Sequence, residues 1–210
     1  MIPKEELDRA FDARFPREVK DKLAAAKVAV AGLGGLGSHI AIGLARSGVG
    51  HLFLVDFDTV EVTNLNRQAY RIPHLGKPKT QAITEILREI NPYLDIRTTQ
   101  VKVTQDNAAA LFGDYPILCE AFDQAEGKAM LISALLSQCP NMTIVSGSGM
   151  AGYGDCNAIR TRRAMRRLYL CGDETTDIGA GMGLMAPRVA VCAGHQANQV
   201  LQLILDTERN

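Results

Sequence analysis

The sequence lacks a net charge, a long apolar run and paired cysteines, and each absence excludes a class of protein. Its 210 residues carry 23 Lys and Arg against 23 Asp and Glu, whereas a general nucleic-acid-binding protein has a basic excess. No uncharged apolar run reaches the roughly 18 residues that cross a membrane. With 47% hydrophobic and 22% charged residues, the composition is that of a globular protein. We therefore expect no nucleic-acid partner and no membrane contact.

The chain contains five cysteines but no CxxC pair, so the usual motif for structural zinc or a redox dithiol is absent. It also begins without an apolar signal segment. We expect reduced thiols in a cytoplasmic protein. The cysteines are scattered, at Cys119, Cys139, Cys156, Cys171 and Cys192.

Short apolar segments alternate with helical segments along most of the chain. The patterns predict strands at 27–31, 51–55, 95–103, 115–120 and 143–146. They predict helices between these strands at 38–46, 77–90, 106–112 and 125–137. This alternation is typical of a doubly wound, Rossmann-like α/β fold with a mainly parallel sheet flanked by helices.

We expect residues 1–210 to form one domain in three parts. These are a helical arm divided by Pro16 (1–25), a Rossmann-like core (26–148) and a C-terminal extension (149–210). Within the extension we expect strand and turn at 149–159, a glycine-rich loop at 172–186, and a last helix from about Pro187 to Asp206.

A glycine-rich loop follows the first predicted strand and precedes a helix. Gly32, Gly34 and Gly37 fit the GxGxxG pattern, and Gly35 adds room for a ligand. Such a loop lets the backbone approach a phosphate, and the helix N-terminus offers free N–H groups to it. Asp56 ends the next strand, where a carboxylate reaches a ribose hydroxyl. The loop and Asp56 together predict nucleotide binding, against the alternative of tight strand–helix packing alone.

Polar residues crowd the segment after Asp56. Arg67 and Lys79 could neutralise two phosphate oxygens, which suits a triphosphate better than a simple dinucleotide. The alternative is that the asparagines form turns and that the two cations are solvated. The other polar candidates in this segment are Asp58, Asn64, Asn66 and Gln68.

Asp123 lies just past the predicted strand 115–120. Carboxyl ends of parallel strands line the binding crevice of an open α/β sheet, so Asp123 could bind Mg²⁺ beside a polyphosphate. From its position alone it could equally cap the following helix.

The sequence resembles the ThiF/MoeB/HesA family, which are adenylyltransferases of ubiquitin-like sulfur-carrier proteins related to the adenylation domain of ubiquitin-activating enzymes. The resemblance is closest to a short ThiF-like branch linked with thiamine biosynthesis, whose carrier is ThiS. It covers nearly the whole chain and rests on the blocks GLGGLGSHIA, LVDFDTVEVTNLNRQ, GKPK followed by INP, AFD, VSGSGMAG and GLMAPRVAVCAGHQAN.

The resemblance implies that ATP and a C-terminal Gly-Gly carboxylate give an acyl-adenylate and pyrophosphate. The glycine loop (Gly32, Gly34, Gly35, Gly37) would then hold phosphates, Asp56 the ribose, and Asp123 the Mg²⁺ ion. The nucleotide and its phosphates would be held by Asp58, Asn64, Arg67, Gln68 and Lys79. Arg14 resembles an arginine that reaches into the partner subunit's site, with Arg9 and Arg17 as nearby alternatives. Catalytic roles are expected for Arg14, Arg67, Lys79 and Asp123, with ATP and Mg²⁺ as cofactors and no zinc.

The family also implies a homodimer, for which the last helix offers an apolar face. That face could instead cover the sheet. It comprises Pro187, Val189, Ala190, Ala193, Ala197, Val200, Leu201 and Ile204.

Three further features have two interpretations each. Cys171 is the best candidate for a later sulfur-transfer step, but a structural thiol is favoured. The five arginines within 160–167 are expected on a solvated helix face, or else form a docking patch for an acidic carrier. His195 is expected to pack on the last helix rather than to act as a ligand or base.

Two rival functions share the glycine loop. An NAD-dependent oxidoreductase would leave Arg67, Lys79 and Asp123 without a role. A non-catalytic nucleotide-binding or carrier-holding module would not need so many charged site residues. Within the adenylyltransferases, a MoaD-type activator of the molybdopterin pathway is the alternative to a ThiS-type one, because the sequence does not name the carrier.

Overall fold

A computed structural model describes residues 2–177, 179 and 181–206. Its seven strands form one sheet in the order β3-β2-β1-β4-β5-β7-β6, in which every neighbouring pair is parallel except β6 and β7. The strands are β1 (Lys27–Ala31), β2 (His51–Asp56), β3 (Asp95–Gln100), β4 (Ile117–Glu120), β5 (Thr143–Gly147), β6 (Arg160–Met165) and β7 (Leu168–Gly172). The expected doubly wound α/β fold is confirmed.

Seven α-helices accompany the sheet in the described part of the chain. They are α1 (Lys4–Asp12), α2 (Arg17–Ala25), α3 (Gly35–Arg46), α4 (Lys79–Ile90), α5 (Gln105–Phe112), α6 (Ala125–Gln138) and α7 (Ala186–Leu205). None of the described helices is both long enough and apolar enough to cross a membrane.

The two faces of the sheet bury different helices because successive strand residues point to opposite sides. On β1, Val28 and Val30 lie in a cluster with residues of α3, α4 and α7. Ala29 and Ala31 face the other side, against α5 and α6. All four side chains are fully buried, so the apolar run of β1 is explained by burial on both faces.

The glycine loop is shaped by close packing as well as by its open side. A Cβ atom on Gly37 would lie 1.8 Å from the carbonyl oxygen of Gly32, so a side chain there cannot be accommodated without movement. Gly32 itself has φ +89°, a conformation that L-residues with side chains rarely adopt. These two glycines therefore set the turn from β1 into α3.

The C-terminal extension differs from the prediction in two places. Residues 149–159 contain no regular strand; they form a loop with one 3-10 turn, Cys156–Ala158, and an isolated bridge at Gly152. The arginine run 160–167 was expected on a helix, which is wrong, because it forms β6 and the turn into β7. Pairing of β6 with β7 outweighs the helix propensity of arginine. The glycine-rich loop at 172–186 is present, although Ile178 and Ala180 lie outside the described residues.

Half of the predicted apolar face of the last helix is buried within the chain itself. Val189, Ala193, Ala197 and Val200 of α7 belong to the same core cluster as the residues of α3. These four side chains cover the core, as the alternative predicted, whereas Pro187 and Ala190 of the same face are exposed.

Candidate functional site

A cavity of about 650 Å³ opens at the carboxyl ends of the parallel strands. Its wall includes the ends of β2 and β5 and the loops that follow β1, β3 and β4. The position is the usual ligand crevice of an open α/β sheet, and the volume lies within the range of roughly 300–1,000 Å³ typical of small-molecule sites. We therefore take it as the candidate functional site.

The glycine loop forms the wall of this cavity in front of α3. Gly32, Gly34 and Gly35 line it, whereas Gly37 does not and is a packing residue. A Cβ atom on Gly34 would have only the side-chain nitrogen of Gln68 within 4 Å, at 3.8 Å, so the space beside this backbone is open. The backbone is thus bare where a phosphate would approach the start of α3.

Asp56 is held by the backbone at the end of β2. Its carboxylate accepts hydrogen bonds from the N–H groups of Leu33, at 2.6 Å, and Asp58, at 2.8 Å. Burial raises the pKa of Asp56 above its usual value, an effect that the charge of Lys79 and these two N–H groups partly oppose. The side chain lines the cavity in a fixed orientation, as the ribose-binding prediction requires.

Two predicted cations also line the cavity. Lys79 is the first residue of α4, and its Nζ atom lies 2.8 Å from Oδ2 of Asp58. The guanidinium of Arg67 donates to the carbonyl of Thr63 at 3.1 Å and to the side-chain oxygen of Asn66 at 2.9 Å. The structure thus brings the cations together with the glycine loop, although each already has a partner in the chain.

The two predicted amides differ in their surroundings. Gln68 lines the cavity and is buried, and its Oε1 atom has no hydrogen-bond partner among the described residues. An unpaired buried oxygen of this kind suits a ligand donor. Asn64 is not among the lining residues; its side chain accepts from the N–H of Glu61 at 3.0 Å and fixes a 3-10 turn. The turn-forming alternative therefore describes the contacts of Asn64.

Asp123 is exposed and lines the cavity just after β4. Within the described ranges, no cluster of three or more His, Cys, Asp or Glu residues could hold a metal ion by itself. A single carboxylate fits Mg²⁺, which is often bound by one or two carboxylates together with substrate phosphates.

Arg14 does not lie at the cavity. It is exposed in the turn between α1 and α2, and it is not among the lining residues. The end of α2 meets the amino end of β2, where the N–H of Gly50 donates to the carbonyl of Leu23 at 3.0 Å. This is the edge of the sheet opposite the cavity, so Arg14 could serve such a site only in a second copy of the chain.

Sequence reasoning missed a buried ionic group beside the cavity. Glu120 ends β4 with a fully buried side chain, and both of its oxygens contact Nζ of Lys128, at 3.1 and 2.8 Å. Ser146 of β5 donates to the same carboxylate at 2.5 Å. Lys102, after β3, also lines the cavity and was not predicted. A charged residue that ends an apolar strand was the available signal for Glu120.

A second ionic group braces the rim. The guanidinium of Arg188, in the first turn of α7, contacts the carboxylate of Asp173, and both side chains are nearly inaccessible to solvent. Asp173 also accepts from the N–H groups of Thr175, at 2.9 Å, and Thr176, at 2.8 Å. Thr176 lines the cavity, so this ion pair fixes part of its wall.

Cys171 is a buried thiol of β7, and burial raises its pKa to about 11. Its environment is that of the structural thiol that the sequence favoured, because a reactive cysteine needs an accessible thiolate. Cys119 and Cys192 are buried as well, and Cys156 is exposed.

The arginine run has partners in its own chain. Arg162 makes a two-point contact with Glu174, at 2.5 Å for each pair of atoms. Arg167 donates to the carbonyl oxygens of Leu136 and Cys139 at the end of α6, at 2.6 and 2.7 Å. His195 packs as expected, with its Nδ1 atom 3.0 Å from the hydroxyl of Thr161.

Comparison with known proteins shows the family. Residues 7–210 match the ThiF family. The chain belongs to the ThiF family. Molybdopterin-synthase adenylyltransferase of Haemophilus influenzae is 28% identical over 223 residues, covering 98% of this chain and 89% of the relative. Adenylyltransferase and sulfurtransferase UBA4 of Candida glabrata is 33% identical over 195 residues, covering 90% of this chain and 45% of the relative.

A solved structure shares the fold of this ThiF family member. Escherichia coli tRNA N6-threonylcarbamoyladenosine dehydratase, TcdA, in complex with AMP, superposes with a TM-score of 0.87 at 23% identity, covering 100% of this chain and 99% of that chain. This likeness supports the fold. The predicted family is confirmed, and the predicted enzyme class agrees with the names of both ThiF family relatives.

Proposed function

We propose that the protein is an ATP-dependent adenylyltransferase that activates the C-terminal Gly-Gly carboxylate of a small ubiquitin-like sulfur-carrier protein. One observation carries the proposal: a single cavity of a ThiF family chain is lined by the bare glycine loop, Asp56, Arg67, Lys79 and Asp123. An NAD-dependent oxidoreductase gives the last three no role. A carboxylate nucleophile and a triphosphate require cations and a metal ligand in that place.

The chemistry needs positioning more than acid–base catalysis. A C-terminal carboxyl has a pKa near about 3.5 and is ionised at neutral pH, so it attacks without a general base. Its oxygen forms a bond to the α-phosphorus of ATP while the bond from that phosphorus to the β-phosphate oxygen breaks. The products are the acyl-adenylate and pyrophosphate, and the negative charge that leaves must be stabilised.

The predicted site residues that line the cavity then have roles in binding ATP. The glycine loop and the start of α3 would hold phosphates, Asp56 the ribose, and Gln68 a donor group of the nucleotide. Arg67 and Lys79 would neutralise the phosphates once they release their present partners. Asp123 would hold Mg²⁺, which when bound neutralises charge on the phosphate tail. Asp58 would contribute by placing Lys79.

The identity of the carrier is a finer proposal. The blocks of the sequence favour a ThiS-like carrier and a role in thiamine biosynthesis. A MoaD-type carrier is the second candidate, favoured by the name of the Haemophilus influenzae relative. A homodimer is proposed on resemblance alone; it is the arrangement in which Arg14 could contribute, and sedimentation velocity tests it.

Carrier-dependent exchange of pyrophosphate into ATP tests the function. The purified protein is assayed against a panel of ThiS-like and MoaD-like carriers, each beside a version that lacks its last two glycines. Exchange with an intact carrier, and none with its shortened form, supports the proposal. ATP binding without exchange on any carrier would instead favour the rival function, a non-catalytic nucleotide-binding module.

A further inference from the structure

The cavity extends past the predicted nucleotide residues toward β5 and β7. Its wall on that side is formed by residues 147–151, Thr176, Asp177, Leu184 and Val189. The lining cations are Arg67, Lys79, Lys102 and Lys128. The first three lie after β2 or β3 or at the start of α4, whereas Lys128, on α6, is the one lining cation of the described residues on the β4–β5 side.

The ammonium of Lys128 is held in one place by buried groups. Two of its three N–H bonds are directed at the two oxygens of Glu120. Those oxygens also accept from the N–H of Phe122, at 2.7 Å, and from the hydroxyl of Ser146, at 2.5 Å. The Lys128 side chain keeps 20% of its surface exposed while that of Glu120 has none. Because Lys128 lines the cavity, its ammonium can donate the third N–H to a ligand there.

Stability alone is a weak reason for such an ion pair. Burying a carboxylate costs several kcal/mol of desolvation, and a buried pair is often no more stabilising than apolar residues of the same size. Glu120 instead orients Lys128, as a buried carboxylate orients the active group of many sites. The segment Gly147–Ser–Gly–Met–Ala151 also lines the cavity and has no charged side chain, so a peptide end could lie along it; Asp177 is the acid on the same wall.

Resting on the proposed function, we infer that Lys128 binds the terminal carboxylate of the carrier protein. Glu120 and Ser146 are positioning residues that aim its free N–H. The carboxylate and the α-phosphate are both anions, so a fixed cation beside the carboxylate lowers their repulsion as they approach. Arg67 and Lys79 serve the phosphates, and Lys128 serves the nucleophile.

A binding experiment isolates this contact from catalysis. Carrier with its native carboxylate and carrier ending in a carboxamide are each titrated into protein saturated with an α,β-methylene analogue of ATP. The methylene link between the α- and β-phosphorus does not break, so the carrier is bound but not adenylated. Wild type is expected to prefer the carboxylate by about tenfold or more. Lys128→Met should reduce the preference to about twofold or less while the affinity for the analogue stays unchanged, and Lys128→Arg should keep part of it.

Two further variants separate charge from position. Lys27→Met removes an exposed lysine at the amino end of β1, away from the cavity, and should leave the preference at the wild-type value. Glu120→Gln should raise the KM for the carrier and not that for ATP, because it misplaces Lys128. Thermal unfolding shows whether each variant is folded. If Glu120→Gln does not fold, the carboxylate preference of Lys128→Arg provides the test in its place.

The outcomes distinguish this inference from the function it rests on. An unchanged carboxylate preference in Lys128→Met overturns the inference, and so does its loss in Lys102→Met with Lys128→Met unaffected. If wild type binds no carrier and catalyses no exchange, the proposed function fails and this inference with it. Exchange by wild type together with the predicted loss in Lys128→Met supports both.

Discussion

Lys79 and Asp58 form an ion pair at the rim of the cavity, with 2.8 Å between Nζ and Oδ2. Only 7% of the lysine side chain is exposed, against 45% for that of the aspartate. The N–H of Lys79 also donates to the carbonyl of Asp58 at 2.9 Å, so both the side chain and the backbone of the lysine are tied to the loop after β2. The cation is thereby held beside the cavity before any ligand arrives, and an incoming phosphate competes for it with one partly exposed carboxylate.

We expect Lys79→Ala to lower carrier-dependent pyrophosphate exchange by well over tenfold, or about 1.4 kcal/mol or more of transition-state stabilisation. Removing the ammonium leaves phosphate charge uncompensated. Lys77→Ala is the matched control, since Lys77 pairs with Glu85 and does not line the cavity. Exchange rates for both variants near that of wild type would show that Lys79 has no part in the reaction.

Replacing Asp123 should affect the same reaction through the metal. In Asp123→Ala we expect an exchange rate more than about tenfold lower, with a higher Mg²⁺ concentration needed for half-maximal rate. Glu126→Ala removes a nearby exposed acid of α6 that does not line the cavity, and it should behave as wild type. The exchange rate of wild type, Asp123→Ala and Glu126→Ala is measured as a function of Mg²⁺ concentration. Identical curves for the three proteins would exclude Asp123 as a metal ligand.

Two glycines of one loop should give opposite phenotypes. Gly34→Ala meets no atom of the chain closer than 3.8 Å, so we expect stability within about 1 kcal/mol of wild type but an ATP Kd raised about tenfold or more. Gly37→Ala places Cβ 1.8 Å from the Gly32 carbonyl oxygen and should cost about 1–3 kcal/mol or more of folding free energy. Urea unfolding measures the stability of both variants, and equilibrium binding measures their ATP Kd. A stable Gly37→Ala would contradict the packing role of Gly37, and tight ATP binding by Gly34→Ala would contradict the phosphate-binding role of Gly34.

The ion pair of Asp173 and Arg188 predicts a pH-dependent stability. Burial alone would raise the pKa of Asp173, but the N–H groups and hydroxyl of Thr176, the N–H of Thr175 and the charge of Arg188 lower it below its usual value. A carboxyl whose pKa is lowered by folding stabilises the fold above its unfolded pKa, about 3.9, and loses that contribution as the pH falls through the folded pKa.

Asp173→Asn should therefore be less stable than wild type at pH 7, by about 3–5 kcal/mol, because Arg188 is left buried without its partner. The difference should shrink as wild type is itself protonated at acid pH. Denaturant unfolding of both proteins at a series of pH values from 7 down to about 2 provides the comparison, because the contribution is lost only as the pH falls through the lowered pKa of folded Asp173. A difference that does not change with pH would mean that the Asp173 carboxylate is not the group responsible.

Much of the fold and most of the predicted nucleotide-binding residues could be read from local patterns in the sequence. The apolar strands, the glycine loop and Asp56 are encoded within a few residues, because strand burial and tight turns impose their own sequence signatures. Lys79 and Asp123 were found because they lie next to predicted strand or helix ends. The structure places each of these three side chains on the wall of the cavity.

Other residues depend on contacts that no local pattern reveals. Lys128 reads as an ordinary helix lysine, and only the packing of α6 against β4 brings its ammonium to Glu120. The arginines of 160–167 favour a helix on propensity, but pairing with β7 overrides it. The turn between β6 and β7, Arg166–Arg167, contains no glycine that would have indicated a hairpin. Asn64 has the residue type of a ligand but the contacts of a turn.

The arginine-rich β6 is also the last strand of the sheet, and in the described part of the chain no strand lies on its outer side. An open strand edge is a template on which another protein's sheet could grow. Arg160 and Arg163 are exposed along this edge, so a second copy that added its own β6 there would bring like charges together. Edge-to-edge pairing of two β6 strands is therefore disfavoured by their charge.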